Sequence, residues 1–153
     1  MQALPIDTAT SAVLAAAYEL PTKCAIILDR ELPNGRLANA CAVIALTIGQ
    51  RHPGLVGGAL VDATGCEHPG LIPIGITVLA ASQDDMRALR QSGLESGCDI
   101  VTFPVQGQMT KNYPEFQEAV ARSEPAALQY VGIALIGQKK AINKIVSKLA
   151  LLS

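Results

Sequence analysis

The chain has 153 residues and a net charge of −1; half of the residues are hydrophobic and 16% are charged. That length fits one domain able to bury a real core, and that composition excludes disorder. The charge balance excludes a broad basic footprint for nucleic acid, and with no Trp, three Tyr and two Phe there is no evident platform for stacking bases.

The charge is uneven along the chain. Up to Glu124, the last acidic residue, there are eight basic and thirteen acidic groups, a net of −5; after it come four lysines and no acid, a net of +4. A local basic patch near the C-terminal end is compatible with this split. The four cysteines, Cys24, Cys41, Cys66 and Cys98, include no Cys-x-x-Cys pair and read as buried free thiols of a cytoplasmic protein. Cys66-Glu67-His68 offers too few ligands for a zinc site, so no metal is expected. There is no P-loop and no Gly-x-Gly-x-x-Gly, and no cofactor is expected either. The N-terminus lacks the basic start of a signal peptide, and no apolar run reaches membrane-spanning length, so no membrane partner is expected.

Residues 1–22 read as an N-terminal extension. An Ala-rich helix over 8–20 would be capped by Asp7 or Thr8 and stopped by Pro21. The domain proper is 23–153. It opens with a strand, Lys23 to Asp29, whose apolar run Cys24 to Leu28 calls for cover on both faces. A turn through Pro33, Asn34 and Gly35 leads into a helix to Arg51, with Asn34 as the expected N-cap. Leu37, Cys41, Ile44, Ala45 and Ile48 form its apolar stripe, and the small residues around them predict a largely buried helix. His52-Pro53-Gly54 ends it.

Leu55 to Pro73 reads as a loop with a short strand near Leu60–Ala63. Ile74 to Ala81 is a second strand. Ser82 caps a helix over 83–96, with Asp84 and Asp85 in its first turn, where the helix dipole favours anions. Met86 and Leu89 face inward there, with Leu94 as a further candidate. Gly97 closes the helix, and Asp99 to Phe103 is a third strand ended by Pro104. Val105 to Asn112 is a polar loop, and Pro114 opens a helix over 113–122. Leu128 to Ile136 is a fourth strand. The last helix runs from Lys139 to about Leu149, with Ile142, Ile145, Val146 and Leu149 on its core stripe.

Strands alternating with helices predict a three-layer α/β/α sandwich with a mostly parallel mixed sheet. Sites in such sheets gather beyond the carboxyl ends of strands. Asp29 to Arg36, Pro104 to Lys111 and Gly137 to Lys140 would then share one rim. Arg36 stands at one helix start, after Asn34-Gly35, and Lys139 and Lys140 stand at another. A cation there opposes the helix dipole by about 0.3–1 kcal/mol, so two such starts suggest an anionic ligand. An ordinary solvated face explains Lys140, Lys144 and Lys148 equally well. Asp29 is either a general acid or base or a turn cap. Asn39, within an apolar helix, either orients a substrate or bonds a neighbouring loop carbonyl, and Gln106, Gln108 and Thr110 offer neutral groups suited to binding more than to proton transfer. His52 and His68 lie beside prolines in loops, with no evident Ser or Cys partner.

KCAIILDRELPNGRLANACAVIA, residues 23–45, resembles the start of the type-two peptidyl-tRNA hydrolases, and NKIVSKLALL, residues 143–152, is similar to that family's closing motif. The chain looks closer still to a family of uncharacterised, largely bacterial proteins sharing that fold. The KCAII strand, the NGRLANA turn and helix, the His-Pro-Gly loop and the GIALIG strand carry this second likeness. The resemblance implies a peptidyl-tRNA hydrolase type-two-like fold. It places the hydrolases' helix-start Lys on Arg36, their Gln on Ala40 and their His on Val43. Their Asp-Ala-Gly-x-Thr loop falls on Val105 to Thr110, where Gly107 and Thr110 have counterparts and the Asp does not. Their closing Asp is Asn143 here, while Lys144 is kept.

Three readings follow. In the first, the domain binds a small anionic or nucleotide-like ligand through Asn34, Gly35, Asn39, Gln108, Lys139 and Lys140, its hydrolase chemistry altered or lost. In the second, Arg36, Thr110 and Asp29 hydrolyse peptidyl-tRNA or another aminoacyl ester, although the acidic balance opposes a transfer-RNA partner. In the third, the chain is non-catalytic and works as a homodimer.

Overall fold

The computed structural model describes residues 19–153. The helix expected over 8–20 falls, apart from its last two residues, outside them.

Strand β1, Lys23–Asp29, leads into helix α1, Asn34–Arg51, and a 3-10 turn at Pro53–Leu55. A small hairpin follows, β2 (Leu60–Val61) with β3 (Glu67–His68). Next come β4 (Gly75–Ala81), α2 (Gln83–Glu95) and β5 (Asp99–Pro104). A 3-10 turn at Val105–Gln108 precedes α3, Tyr113–Ala121, and another at Pro125–Ala127 precedes β6, Tyr130–Gly137. Helix α4, Lys139–Val146, and the short strand β7, Ala150–Leu151, complete the chain.

The main sheet has five strands in the order β5-β6-β1-β4-β7. Strand β1 is buried from Cys24 to Leu28 and sits at the centre. Helix α1 covers one face, where Leu37, Ala40, Ile44 and Ile48 meet Cys24, Ile26 and Leu28. Helices α2 and α4 cover the other, where Met86 and Ile142 meet Ala25, Ile27, Ile133 and Leu135. Alternate residues of β1 thus feed two cores, as a strand's period of two requires.

Strand directions depart from the mostly parallel expectation. Only β1 and β4 run parallel, while β6 is antiparallel to both β1 and β5 and β7 is antiparallel to β4. A continuous apolar run reports burial on both faces and is silent about direction. The segment between β5 and β6 leaves and re-enters the sheet at one end, since Pro104 pairs with Tyr130. Helix α3 therefore stays at that end, with Phe116 against Phe103 at a ring separation of 6.4 Å, and does not cross the sheet.

Local signals hold elsewhere. Ser82 and Asp85 form a capping box at α2, and Gly97 follows that helix at a φ of 72°, where a side chain would be strained. Helix α1 is less covered than its small residues predict. One stripe is buried, whereas Val43 is 42% and Leu46 71% exposed. Leu94, a candidate for the inner face of α2, is also exposed.

Gly132 lies where β6 packs closely against β1 and α1. A Cβ there would lie 2.6 Å from Leu28 Cδ2 and 3.1 Å from both Ile44 Cδ1 and the Ile27 carbonyl. Gly132→Ala is expected to destabilise the domain by about 1–3 kcal/mol through overpacking. Urea unfolding measures this, and an unchanged midpoint would refute it.

Candidate functional site

Because β6 is reversed, the sheet has two unlike rims. At the first lie the carboxyl ends of β1, β4 and β5 with the amino end of β6. This rim gathers Asp29, Asn34, Gly35, Arg36, Asn39, Gln108 and Thr110. At the second, Lys23 pairs with Gly137, so Lys139 and Lys140 lie at the far end of the sheet. The single rim expected from the sequence is thereby divided, and the two lysines belong to neither the turn nor the helix that carries Arg36.

At the first rim the side chains are interlocked. Arg36 Nε donates to Gln108 Oε1 at 2.9 Å, and Gln108 Nε2 donates to the Arg36 carbonyl at 3.0 Å and to Asn39 Oδ1 at 3.1 Å. Gln108 thus fixes the guanidinium beside the start of α1. That start has Pro33 as its N-cap residue with no side-chain cap, and its first turn carries no acid. The expected Asn34 cap is not made. Among the described residues the backbone N–H groups of Asn34 and Gly35 find no acceptor, and the space beside the Gly35 Cα is open for at least 4 Å. By contrast α2 is capped by Ser82 and α3 by Asn112. At the second rim, Thr22 Oγ1 accepts from the Lys139 N–H at 2.9 Å, which satisfies part of the α4 start.

Asp29 is engaged. Its Oδ1 accepts from the Glu31 N–H at 3.0 Å and its Oδ2 from Gln83 Nε2 at 2.8 Å. Gln83 was not singled out by the sequence, yet it joins three elements. Its Nε2 also donates to the Tyr130 carbonyl at 2.7 Å, and its Oε1 accepts from the Tyr130 N–H at 3.0 Å. The Thr110 hydroxyl donates to the Gln106 carbonyl at 2.9 Å within its own turn. A groove of about 420 Å³ adjoins the α1 start, lined by Asn34, Leu37, Ala38 and Cys41 together with Val78 and Leu152. The α1 start thus offers two N–H groups without acceptors and a guanidinium held by Gln108, while the apolar groove runs along the Asn34, Leu37 and Cys41 side of the helix and its lining does not include Arg36 or Gln108.

The second rim holds a different cluster. Arg51 donates to both carboxylate oxygens of Asp99, at 2.9 and 2.6 Å, and His52 Nε2 lies 2.8 Å from Asp99 Oδ2. His52 is the buried polar residue of the described chain. A cavity of about 220 Å³ beside it is lined by Cys98, Ser96, Glu19 and Gln138. Burial raises the Cys98 thiol, which keeps it protonated and a poor nucleophile. This cluster fastens the end of α1 to the edge strand β5. Burial also pushes the Cys24 thiol up to about 12. Cys66, in contrast, is exposed on the hairpin, where Asp62 stands beside it and His68.

This is a mixed α/β domain of three layers with an uncapped helix start at one rim of its sheet. Residues 22–153 match the sequence profile of the family described as protein of unknown function, DUF2000, and the chain belongs to that family. No curated protein matches it. The solved structure of Atu0240, a protein of unknown function from Agrobacterium tumefaciens strain C58, is similar with a TM-score of 0.76 and 23% identity over 86% of this chain and 97% of that one. That likeness concerns the fold. Among the described residues no helix is long and apolar enough to cross a membrane.

The hydrogen bond from Arg51 holds the Asp99 carboxyl below the usual carboxylate range; partial burial opposes this, and His52 adds to it. A depressed carboxyl stabilises the fold at neutral pH, and that contribution is lost as pH falls through its folded value. Asp99→Asn is expected to cost about 1–3 kcal/mol at neutral pH. The gap from the parent chain should narrow in acid. Urea unfolding across pH measures both, and a gap that does not vary with pH would contradict the assignment.

Proposed function

We propose that this DUF2000 domain binds a small anionic, nucleotide-like ligand at the Arg36 rim, with peptidyl-ester hydrolysis altered or lost. The observation that carries the reading is the uncapped start of α1, whose first turn holds both the free N–H groups of Asn34 and Gly35 and an Arg36 side chain held by Gln108. Helix N-termini with free donors receive phosphate and carboxylate groups, and the Arg fork adds a charge-assisted contact. Lys139 and Lys140 drop out of this site because β6 carries them to the other rim.

The resemblance to type-two peptidyl-tRNA hydrolases supports a ligand with a phosphate and an apolar or aminoacyl part. The groove beside Asn34 has room for such a body. Hydrolysis is disfavoured on chemical grounds. The Asp29 carboxylate is occupied by Gln83 and the Glu31 N–H, the Thr110 proton is given to Gln106, and Ala40 and Val43 stand where the hydrolases' Gln and His would fall. Both oxygens of Asp29 already accept hydrogen bonds, which makes it a weaker base toward a water at this rim.

Calorimetric titration with adenosine monophosphate tests the reading. Saturable binding is expected, weakened about tenfold or more by Arg36→Ala and unaffected by Lys139→Ala. No binding, or binding indifferent to Arg36, would refute it. Release of peptide from a defined peptidyl-tRNA, run alongside, is expected to be absent. Turnover that disappears in Arg36→Ala would establish the hydrolase reading in its place.

A further inference from the structure

The β2–β3 hairpin has no apolar cover of its own. Every residue from Gly58 to Pro69 is exposed, and its two strands pair only with each other, Leu60 with His68 and Val61 with Glu67. An isolated two-stranded hairpin is marginal in water. What the hairpin does organise is a set of three different donor atoms. Cys66 immediately precedes β3 and His68 ends it. Asp62 lies across from Cys66, its N–H donating to the Cys66 carbonyl at 3.0 Å. A carboxylate oxygen of Asp62, the Cys66 sulfur and a ring nitrogen of His68 all lie within 4.8 Å of one another.

Turn formation accounts for half of this arrangement. Asp62 Oδ1 accepts from the Thr64 N–H at 2.8 Å, the Thr64 hydroxyl at 2.6 Å and the Cys66 N–H at 3.1 Å. These bonds build the turn that Gly65 completes at a φ of 83°. The turn uses no second oxygen, yet Oδ2 is aimed at His68 Nε2, 3.1 Å away, and neither it nor the Cys66 thiol is needed for the turn. Cys66 makes only a weak contact, 3.9 Å from the Glu67 carbonyl.

We propose that Asp62 Oδ2, Cys66 Sγ and His68 form a three-ligand site for a zinc-class divalent cation. Tetrahedral zinc, with bonds of about 2.0–2.3 Å to oxygen, nitrogen and sulfur, sets its ligand atoms roughly 3.3–3.8 Å apart. The Asp62–His68 separation already approaches that spacing, and a rotation of the Cys66 side chain closes the rest. On binding, the thiol gives its proton to solvent and the thiolate bonds the metal, so affinity rises with pH. The mixed oxygen, nitrogen and sulfur set suits zinc or cobalt and is too soft for calcium or magnesium. Three protein ligands leave the fourth position to water or to a partner's side chain. This site is independent of the Arg36 rim, and the two stand or fall separately.

Cobalt(II) substitution of the full chain tests it, because only a cobalt–thiolate bond gives intense near-ultraviolet charge-transfer absorption. The expected result is one equivalent bound, with visible bands of a tetrahedral ion, displaced by zinc. Cys66→Ser should abolish the charge-transfer band, while Cys98→Ser should leave it. Asp62→Asn keeps an acceptor for the turn and removes the second carboxylate oxygen, so it should weaken cobalt binding about tenfold or more, as should His68→Ala. A band that survives Cys66→Ser, or one indifferent to both Asp62→Asn and His68→Ala, would overturn the proposal. So would no band at all in the parent chain. All three positions are exposed, and far-ultraviolet circular dichroism checks that each variant stays folded.

Discussion

Everything in this domain depends on burying β1 from both sides. Five consecutive residues, Cys24 to Leu28, are shielded almost completely, and a strand in that position must have hydrogen-bonded neighbours on both edges and a helical layer on both faces. Strands β4 and β6 meet the first need. Helix α1 on one side, with α2 and α4 on the other, meets the second. Where β1 ends, its last residue is held by Gln83, which also ties down the first residue of β6. One neutral side chain therefore locks the exit of the central strand to the two elements that flank the rim.

The direction of β6 then decides what chemistry can be assembled. Had β6 run parallel to β1, the lysines at the start of α4 would have joined Arg36. Running antiparallel, it sends them to the opposite end, where Thr22 meets the first N–H group of α4. The remaining rim has one fixed cation and one uncapped helix start. On that combination, with the Asp29 carboxylate already hydrogen-bonded to the Glu31 N–H and Gln83, rests the proposal of anion binding over acid–base chemistry.

Much of this was legible in the residues. Strand β1, α1, α2 and their ends follow from apolar period, capping and punctuation by Pro and Gly, and Ser82, Asp85 and Gly97 act as their residue types suggest. Strand direction was not legible, because Val, Ile and Leu bury equally well in either sense. Strand β7, two exposed residues joined to Leu79 and Ala80, has too short a pattern to register. The role of Gln83 depends on partners 47 and 54 residues away, and no local spacing announces them. Asp62 escaped notice for a similar reason. Cys66 and His68 are two apart in sequence, but the carboxylate reaches them only after the hairpin closes. Helix α1 shows the converse, since its small residues suggest burial while Val43 and Leu46 remain open to solvent.

The most direct test of the account is to map a bound anion onto backbone amides by NMR during titration with inorganic phosphate and adenosine monophosphate. Reversal of β6 predicts saturable shifts at Asn34, Gly35, Arg36 and Gln108, with Lys139 and Lys140 unmoved. Shifts centred on Lys139 and Lys140, or none at the α1 start, would contradict it and place any anion site on the other rim.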